Sequence, residues 1–322
     1  MVKGISAILV VLASLVASAD GHVRDEQIGE SVFLVRDYDC LTFTVRGIGP
    51  TPNFINGEGC FSDREFRDFY FEEGLTTIGA YFFGSGLIGE MSSIWMANSV
   101  TSIYAHAFVN QQNLKSVRLS SKLEIIGDCA FAYTGLTSVQ IPASVKVLGY
   151  NAFDGCESLK SVTFLGQTPP ATANPGDVGG FDPSVQVYVL PGVDPSPFKA
   201  LGFQKVNEAP IVSVPSEGSF ENVIERIRAG EFVIARLSRC DSYDAIEIPQ
   251  DVSMTIDLNG YILDCKKLKV LGTLNLEDSG TLTGYLRADE TKIGRKGILK
   301  IAYGPFRTTL TYLSQGLMLM FK

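Results

Sequence analysis

The sequence predicts a mainly β solenoid that is followed by a second, smaller domain of short strands. Three observations support this fold class: an apolar phrase that returns every 22 to 25 residues, an alternation of apolar and polar residues after it, and a change of pattern after residue 207. A unit of that length cannot bury its own apolar residues, whereas stacked units share one continuous core. We therefore expect a column of similar turns.

The composition indicates a folded, acidic protein of about two domains. The chain has 322 residues, of which 45% are apolar and 19% are charged, and this balance favours a folded core over disorder. The net charge of -8 works against binding to nucleic acids or anionic lipid surfaces, which needs clustered Lys and Arg. No run of Lys and Arg is present in the sequence, and we expect no nucleic-acid partner.

The N-terminus predicts export. Lys3 precedes a short apolar block at 5–16, and Ala-Ser-Ala at 17–19 has the small-x-small form of a signal-peptidase site. We interpret residues 1–19 as a cleaved signal peptide, because a membrane anchor needs roughly 20 apolar residues. The last apolar run, 310–321, is interrupted by polar residues and is also too short. The protein is expected to be secreted or on the cell surface, with no spanning membrane segment after signal cleavage.

The solenoid prediction rests on four aligned turns. They read LTTIGAYFF, VTSIYAHAF, LEIIGDCAF and VKVLGYNAF, and they end at Phe83, Phe108, Phe131 and Phe153. The phrases LKSVRL, LTSVQI and LKSVTF follow the last three turns and alternate as half-buried strands do. We expect the aligned Phe rings to stack. Three turns also carry a glycine four residues before the Phe, where a tight corner favours a residue without a Cβ; these are Gly79, Gly127 and Gly149.

The shared phrase, written I-G-x-x-A-F-x-x-C-x-x-L-x-x-V-x-I-P, resembles the BspA-type leucine-rich repeat. Cys156 and Leu159 fit the Cys and Leu places of that repeat, and the letters IPASV after one strand are typical of its linker. The resemblance implies a right-handed solenoid of leucine-rich repeats. It also implies a surface protein that works in adhesion or host contact.

The resemblance extends to both ends of the repeats. Residues 41–54 resemble the N-terminal cap of the family and 185–203 resemble its closing segment, so that about 24–207 are covered. Caps are expected because an open solenoid end would expose apolar side chains and unpaired strand edges. The stretch at 84–98 lengthens one turn, and we expect it to bulge outward.

Cysteine and histidine content argues against a metal site. The cysteines after the signal peptide are Cys40, Cys60, Cys129, Cys156, Cys240 and Cys265. Their even number permits disulfides in an oxidising compartment. No pair has C-x-x-C spacing and the only histidines are His22 and His106, so we expect neither a metal nor another cofactor.

The resemblance places the first two cysteines in one cap. A disulfide there would stabilise the cap by roughly 3 kcal/mol in the chain-entropy model. The candidate pairs are Cys40 with Cys60 and Cys240 with Cys265. The other two, Cys129 and Cys156, fall in different columns of the repeat, and we expect them to stay reduced and fill small core positions.

The pattern changes after a linker at 208–218. The letters FENVIERIRAG predict a short amphipathic helix that stops at Gly230, and brief alternating strands follow, separated by Gly, Asn and Asp. Residues 219–286 resemble the opening turns of right-handed β-helix modules in secreted and surface adhesin-like proteins. The tail at 287–322 has no recognisable period and stays unassigned.

Some proteins of β-helix shape are polysaccharide lyases, which hold a cation with acids and abstract a proton with a base. The candidate acids here are Asp257, Asp264, Glu277 and Asp278. We interpret them as solvated turn residues, the usual role of single acids at strand ends. Neither a Ser/His/Asp arrangement nor a phosphate-binding loop is found in the sequence. We therefore expect a binding protein and not an enzyme.

The expected function is recognition of an extracellular protein or glycan through the repeat face. The alternatives are a lyase-like carbohydrate-active enzyme on the second domain and a structural component of a surface coat. The expected organisation is a signal peptide (1–19), an N-terminal region with its cap (20–74), repeats with a closing cap (75–207), a linker (208–218), a β-helix-like domain (219–286) and a tail (287–322).

The strand phrases also predict where a ligand would bind. Polar residues between the apolar positions should align into columns across one sheet. The candidate contacts are Lys115, Thr137 and Lys160 in one column and Arg118, Gln140 and Thr163 in the outer one. The serines between them have a structural explanation, because stacked hydroxyls can bond to one another or to the backbone. We favour the outer column, which should point away from the core.

Overall fold

The computed structural model describes residues 23–38, 41–54, 66–83, 90–173, 178–214, 219–249, 251–258, 261–271, 273–277, 285–293, 298–301, 308–313 and 316–321. The signal peptide that we expect at 1–19 lies outside the described residues, and so do Cys40 and Cys60. In the described part of the chain, no helix is long and apolar enough to cross a membrane.

The first unit is built almost entirely of short strands. They are β1 (Val23–Gln27), β2 (Val32–Asp37), β3 (Thr42–Gly47), β4 (Gly49–Pro50), β5 (Asp68–Phe71), β6 (Leu75–Ile78), β7 (Ser93–Met96), β8 (Ser102–Ile103), β9 (Ser116–Arg118), β10 (Ile125–Ile126), β11 (Ser138–Ile141), β12 (Val147–Leu148), β13 (Ser161–Phe164), β14 (Ala171–Thr172), β15 (Gln186–Val189) and β16 (Lys205–Glu208). One helix, α1 (Ser196–Ala200), precedes β16.

These strands form the stacked sheets of a solenoid. One sheet has the order β1-β2-β3-β5-β7-β9, a second has the order β14-β12-β10-β8-β6-β4, and a third has the order β11-β13-β15-β16. Pairing is antiparallel only from β1 to β3 and parallel from β3 onward. Each parallel neighbour is one turn of chain away, and the predicted fold class is confirmed.

The aligned phenylalanines form a stacked column in the core. The ring of Phe131 lies 5.0 Å from that of Phe108 and 5.3 Å from that of Phe153, with 10° between the planes in both pairs. The column continues to Phe181, whose ring lies 4.4 Å from Phe153. The register read from the sequence is therefore correct, and an irregular loop supplies one further ring.

The recurring glycines are required by close approach between turns. A Cβ built on Gly127 would lie 2.8 Å from the backbone of Tyr104 and of Ala105, closer than real Cβ atoms approach. Left-handed backbone occurs at another place in each turn, two residues before the stacked Phe. The residues there are Tyr81, His106, Cys129 and Asn151, with φ values of 51°, 59°, 51° and 53°. One corner, which carries glycine in three of the turns, therefore favours a residue without a Cβ, and the second corner needs left-handed backbone.

The lengthened turn at 84–98 is more regular than we expected. Residues 93–96 form β7, which pairs in register with β5 and β9, and Ile94 and Met96 are buried in the core. The expected outward bulge is wrong for these residues, because β7 continues the sheet and its residues alternate between buried and half-buried. Residues 84–89 lie outside the described part.

The second unit has its own core. Its elements are β17 (Ile211–Val214), α2 (Phe220–Arg228), β18 (Ile234–Leu237), β19 (Asp241–Ile248), β20 (Ser253–Asp257), β21 (Ile262–Val270), β22 (Thr273–Glu277), β23 (Tyr285–Ile293), β24 (Ile298–Ile301), β25 (Thr308–Leu313) and β26 (Gly316–Phe321). One parallel sheet has the order β17-β18-β20-β22-β24. The other has the order β19-β21-β23-β26-β25, in which the tail strands β25 and β26 pair antiparallel.

The helix α2 forms where the apolar spacing predicts it. Ser219 caps its first turn by accepting a hydrogen bond from the Asn222 backbone N–H at 3.3 Å, and Phe220 and Val223 are buried against the sheets. At the other end, the N–H of Gly230 donates to Ile227 and the N–H of Glu231 donates to Arg226. These two bonds form a Schellman motif, which Gly230 permits with a φ of 94°.

The cysteines of the described residues differ from two expectations. Cys240 and Cys265 are thiols and do not form the candidate disulfide. Strand register explains this, since Tyr243 lies opposite Cys265, whose side chain is buried in the second core. Cys129 occupies a left-handed corner and is no core filler. Cys156 packs partly against the core, and its thiol donates to the Phe131 carbonyl at 3.2 Å.

Candidate binding cleft

The second unit rests on the last strands of the repeat sheet. The Ser161 hydroxyl donates to the Gly230 carbonyl at 2.6 Å. Beside that bond, Phe232 and Ile234 pack with Leu165 and Tyr188 of the repeats in a small apolar cluster. The contact covers β13 and reaches Tyr188 of β15, and a cleft lies between the two units on the other side, at β11 and β9.

The cleft has a volume of about 510 Å³. Its floor is the outer face of the repeats at β9, which ends one sheet, and at β11 and β13, which begin another. Its other wall runs from the end of α2 to Phe232 and includes Asp251 and Ser253. All six candidate contacts read from the strand phrases line it: Lys115, Arg118, Thr137, Gln140, Lys160 and Thr163. The structure therefore brings both columns into one cleft, and their contact with a ligand stays a prediction.

The columns are aligned by the pairing of successive turns. Gln140 lies directly opposite Thr163 in the parallel register of β11 and β13. The Thr137 N–H donates to the Lys115 carbonyl at 3.3 Å, and the Lys160 N–H donates to the Thr137 carbonyl at 2.9 Å. The first bond connects the sheet that ends at β9 with the sheet that begins at β11.

Exposure separates the candidates. Lys115 and Lys160 are exposed, and Thr137 and Gln140 are half-buried. Thr163 is only 2% exposed, because the second unit covers its strand. Our expectation that the whole outer column faces away from the protein is therefore wrong at Thr163, which can offer little surface to a ligand.

Two aromatic residues beside Arg118 were missed by the sequence reasoning. Trp95 lies directly opposite Arg118 in the register of β7 and β9, and Tyr70 lies opposite Trp95. The Tyr70 and Trp95 rings are 6.3 Å apart, and the Arg118 Cζ lies 5.8 Å from the Trp95 ring centre, within reach of a cation–π contact. A signal existed, because Tyr70 and Trp95 alternate with buried residues in the phrases DFYF and SIWM.

Arg118 is a partly desolvated cation. Its Nε is buried and makes no hydrogen bond with the part of the chain that the structure describes. Burial lowers the pKa of Arg118 to about 10, while the charge of Glu73 acts in the opposite direction. The guanidinium is therefore held against Trp95 with hydrogen-bonding capacity unused.

The charges of the two walls are balanced differently. Arg226 pairs with Glu231 at 2.7 Å on the second unit. Arg228 makes two hydrogen bonds to Asp251, at 2.8 and 3.0 Å, which lower the pKa of that carboxyl. The repeat wall carries three cations, and none forms an ion pair with a described residue; they are Lys115, Arg118 and Lys160.

Two of the acids considered for lyase chemistry are neighbours, because Asp257 lies opposite Glu277 in the register of β20 and β22. Asp257 is 2% exposed and pairs with Arg236 at 2.7 Å, so our interpretation of Asp257 as a solvated turn residue is wrong. Asp264 lies within β21 and Glu277 ends β22, while Asp278 lies outside the described residues. Among the residues that the structure describes, no three His, Cys, Asp or Glu side chains are grouped to hold a metal ion.

Comparison with known proteins identifies the repeats. Residues 50–160 match the family described as BspA type leucine rich repeat region, in 6 copies. No curated protein matches the chain.

The solved structures that align with this chain are also leucine-rich repeat proteins. One from Eubacterium ventriosum is 16% identical, with a TM-score of 0.47, over 79% of this chain and 78% of the other. A leucine rich cell surface protein from Faecalibacterium prausnitzii is 15% identical, with a TM-score of 0.22, over 80% and 95% of the two chains. The pneumococcal vaccine antigen PcpA is 14% identical, with a TM-score of 0.28, over 79% and 66%.

Proposed function

We propose, from the premise that residues 50–160 are a BspA-type leucine-rich repeat region, that the protein is a secreted or cell-surface binding protein. It recognises an extracellular protein or glycan through the outer face of its repeat sheet. Solenoids present extended surfaces of this kind to their partners. Export of the chain rests on the signal-peptide pattern at 1–19.

One observation carries this proposal. The polar columns of three successive turns line a single cleft, and three of their side chains are cations that form no ion pair with a described residue. If these three cations had only a structural role, we would expect them to form ion pairs or to lie on a fully solvated face. The second unit instead partly covers these side chains, which favours a recognition surface.

The experiment compares binding by the full chain and by two matched double variants. The test variant is Arg118→Ala with Gln140→Ala, since both side chains are half-buried in the cleft. The control is Lys122→Ala with Gln167→Ala, which removes the same types of group from exposed positions that do not line the cleft. Thr163 is left unchanged because it is buried.

Each protein is titrated against a panel of purified extracellular-matrix proteins and glycans. We expect at least one component to bind the parent and the control equally, and to bind the test variant about tenfold more weakly. Thermal unfolding is measured for all three proteins. The exposed control should change stability by less than about 0.5 kcal/mol, and the test variant by about 1 kcal/mol because Arg118 loses its contact with Trp95, which leaves it folded at the temperature of the titration. Equal binding by the test variant and the parent would place recognition elsewhere on the molecule.

A further inference from the structure

We infer that the cleft binds a segment of an anionic glycan, whose carboxylate or sulfate groups are held by Lys115, Lys160 and Arg118. This inference rests on the proposed function and names the chemical class of its ligand. The sugar hydroxyls bond to the short polar side chains between the cations.

Charge is the first step of the argument. The protein as a whole is acidic, with a net charge of -8, and the cations of the second unit's wall are paired with Glu231 and Asp251. The three cations of the repeat wall have no such partner among the described residues. A cleft with low-dielectric walls concentrates their field, so the floor attracts anions although most of the surface repels them.

Arg118 supplies the second step. One side of its guanidinium faces the Trp95 ring, and its buried Nε lacks an acceptor within the described structure. A guanidinium binds a carboxylate or sulfate through two parallel N–H donors. A bound anion would therefore pair with the guanidinium and offset the burial of its charge.

Lys160 is positioned by the contact between the two units. A Cβ added to Gly230 would lie 3.1 Å from the Lys160 Cδ, so the lysine stem passes close to the backbone of the second unit. Lys115 stands two turns away in the same column, with Thr137 on the turn between them, and its Nζ is 3.4 Å from the Gln112 carbonyl. The two ammonium groups therefore flank the polar floor from either side of the turn that carries Thr137.

The floor favours a glycan over an acidic peptide. At β11 and β13 it is the face of a parallel sheet, and these strands pair along their whole length, so an extended peptide cannot add between them as a strand. The side chains on the floor are hydroxyls and an amide, from Thr137, Ser138 and Gln140, which match the hydroxyls of a sugar. The exposed parts of Trp95 and Tyr70 continue this face next to Arg118 as ring surfaces.

The size of the cleft fits a short segment. Its volume of about 510 Å³ lies in the range of roughly 300 to 1,000 Å³ that accommodates one small-molecule ligand. The cleft therefore recognises a few sugar units at a time. A longer polymer extends from it at the open side.

The experiment uses the full chain and a pair of variants with the same change in charge. The test variant is Lys115→Gln with Lys160→Gln, and the control is Lys122→Gln with Lys199→Gln, both exposed and outside the cleft. Calorimetric titrations use oligogalacturonate for carboxylates, heparin-derived oligosaccharide for sulfates, neutral malto-oligosaccharide, and poly-glutamate as an acidic peptide.

We expect at least one anionic glycan to bind the parent and the control, with affinity that falls as salt is raised. The test variant should bind about tenfold more weakly, since two charged contacts are lost. The carboxylate and sulfate arms decide which anionic group the cleft prefers. Equal binding by the test variant, equal binding of the neutral oligosaccharide, or binding of poly-glutamate alone would each overturn the inference.

The two proposals fail in different ways. If no anionic glycan binds, but the Arg118→Ala, Gln140→Ala variant binds a matrix protein more weakly than the parent does, the inferred ligand class is wrong. The proposed function of the repeat face then stands. When neither the glycans nor the matrix components depend on the cleft, both proposals are overturned.

Discussion

Replacing Phe131 with alanine tests the stacked core directly. The ring is 0% exposed and lies between Phe108 and Phe153 at 5.0 and 5.3 Å. Removing a buried Phe side chain costs about 3–5 kcal/mol, and a stacked aromatic pair contributes about 0.5–1.5 kcal/mol beyond its burial. Backbone hydrogen bonds hold the turns on both sides, from Phe108 to Ala130 and from Phe131 to Ala152, both at 2.8 Å.

These bonds limit how far the neighbouring turns can move into the space that the missing ring leaves. We therefore expect the upper half of the range, about 4–5 kcal/mol. At about 2–4 °C of melting temperature for each kcal/mol, Phe131→Ala should lower the thermal midpoint by roughly 8–20 °C. Circular dichroism follows the transition, and urea unfolding gives the free energy independently.

Tyr150→Ala is the matched control. It removes an aromatic ring that is 50% exposed from a neighbouring turn, and its effect should stay within about 0.5 kcal/mol. The stacked-core argument would be refuted by equal shifts for the two variants. A small shift for Phe131→Ala alone would mean that the turns collapse more readily than their hydrogen bonds suggest.

Three further predictions concern the corners and the cysteines. Gly127→Ala should cost about 1–3 kcal/mol by overpacking, whereas Gly29→Ala, whose Cβ would come no closer than 3.6 Å to a neighbouring atom, should be nearly neutral in the same urea assay. Non-reducing peptide mapping should recover Cys40 joined to Cys60, the pairing that the cap resemblance implies, while Cys156 stays reduced. Burial raises the pKa of the Cys156 thiol, so its alkylation at pH 8 should be slower than in urea; a rate unchanged by urea would contradict this.

The repeat could be predicted from the sequence because each turn packs between two turns of similar sequence. Phe131 meets another Phe on either side, so one spacing fixes its neighbours, its burial and its column. The same logic placed Gln140 opposite Thr163. Periodicity predicts contacts well when the partner of a residue is its own counterpart one turn away.

Contacts between unlike segments could not be read in this way. Thr163 follows the same pattern as Gln140 but is buried, because a segment about seventy residues later covers it. Asp257 resembles a turn acid in the sequence and is a buried partner of Arg236, a pairing that depends on the register of β18 and β20. Trp95 was hidden by the lengthened turn that carries it.

Gly230 explains why the cleft is a property of the two units together. Its left-handed φ of 94° closes the Schellman motif of α2, and this role alone accounts for the glycine in the sequence. The same residue accepts the Ser161 hydrogen bond and leaves room for the Lys160 stem. The residue that ends the helix therefore also sets its end against the repeat sheet, and a side chain there would displace Lys160 as well as strain the helix end. The Schellman motif that ends α2 thus also positions the wall opposite the polar columns. The repeat pattern alone could not predict this position.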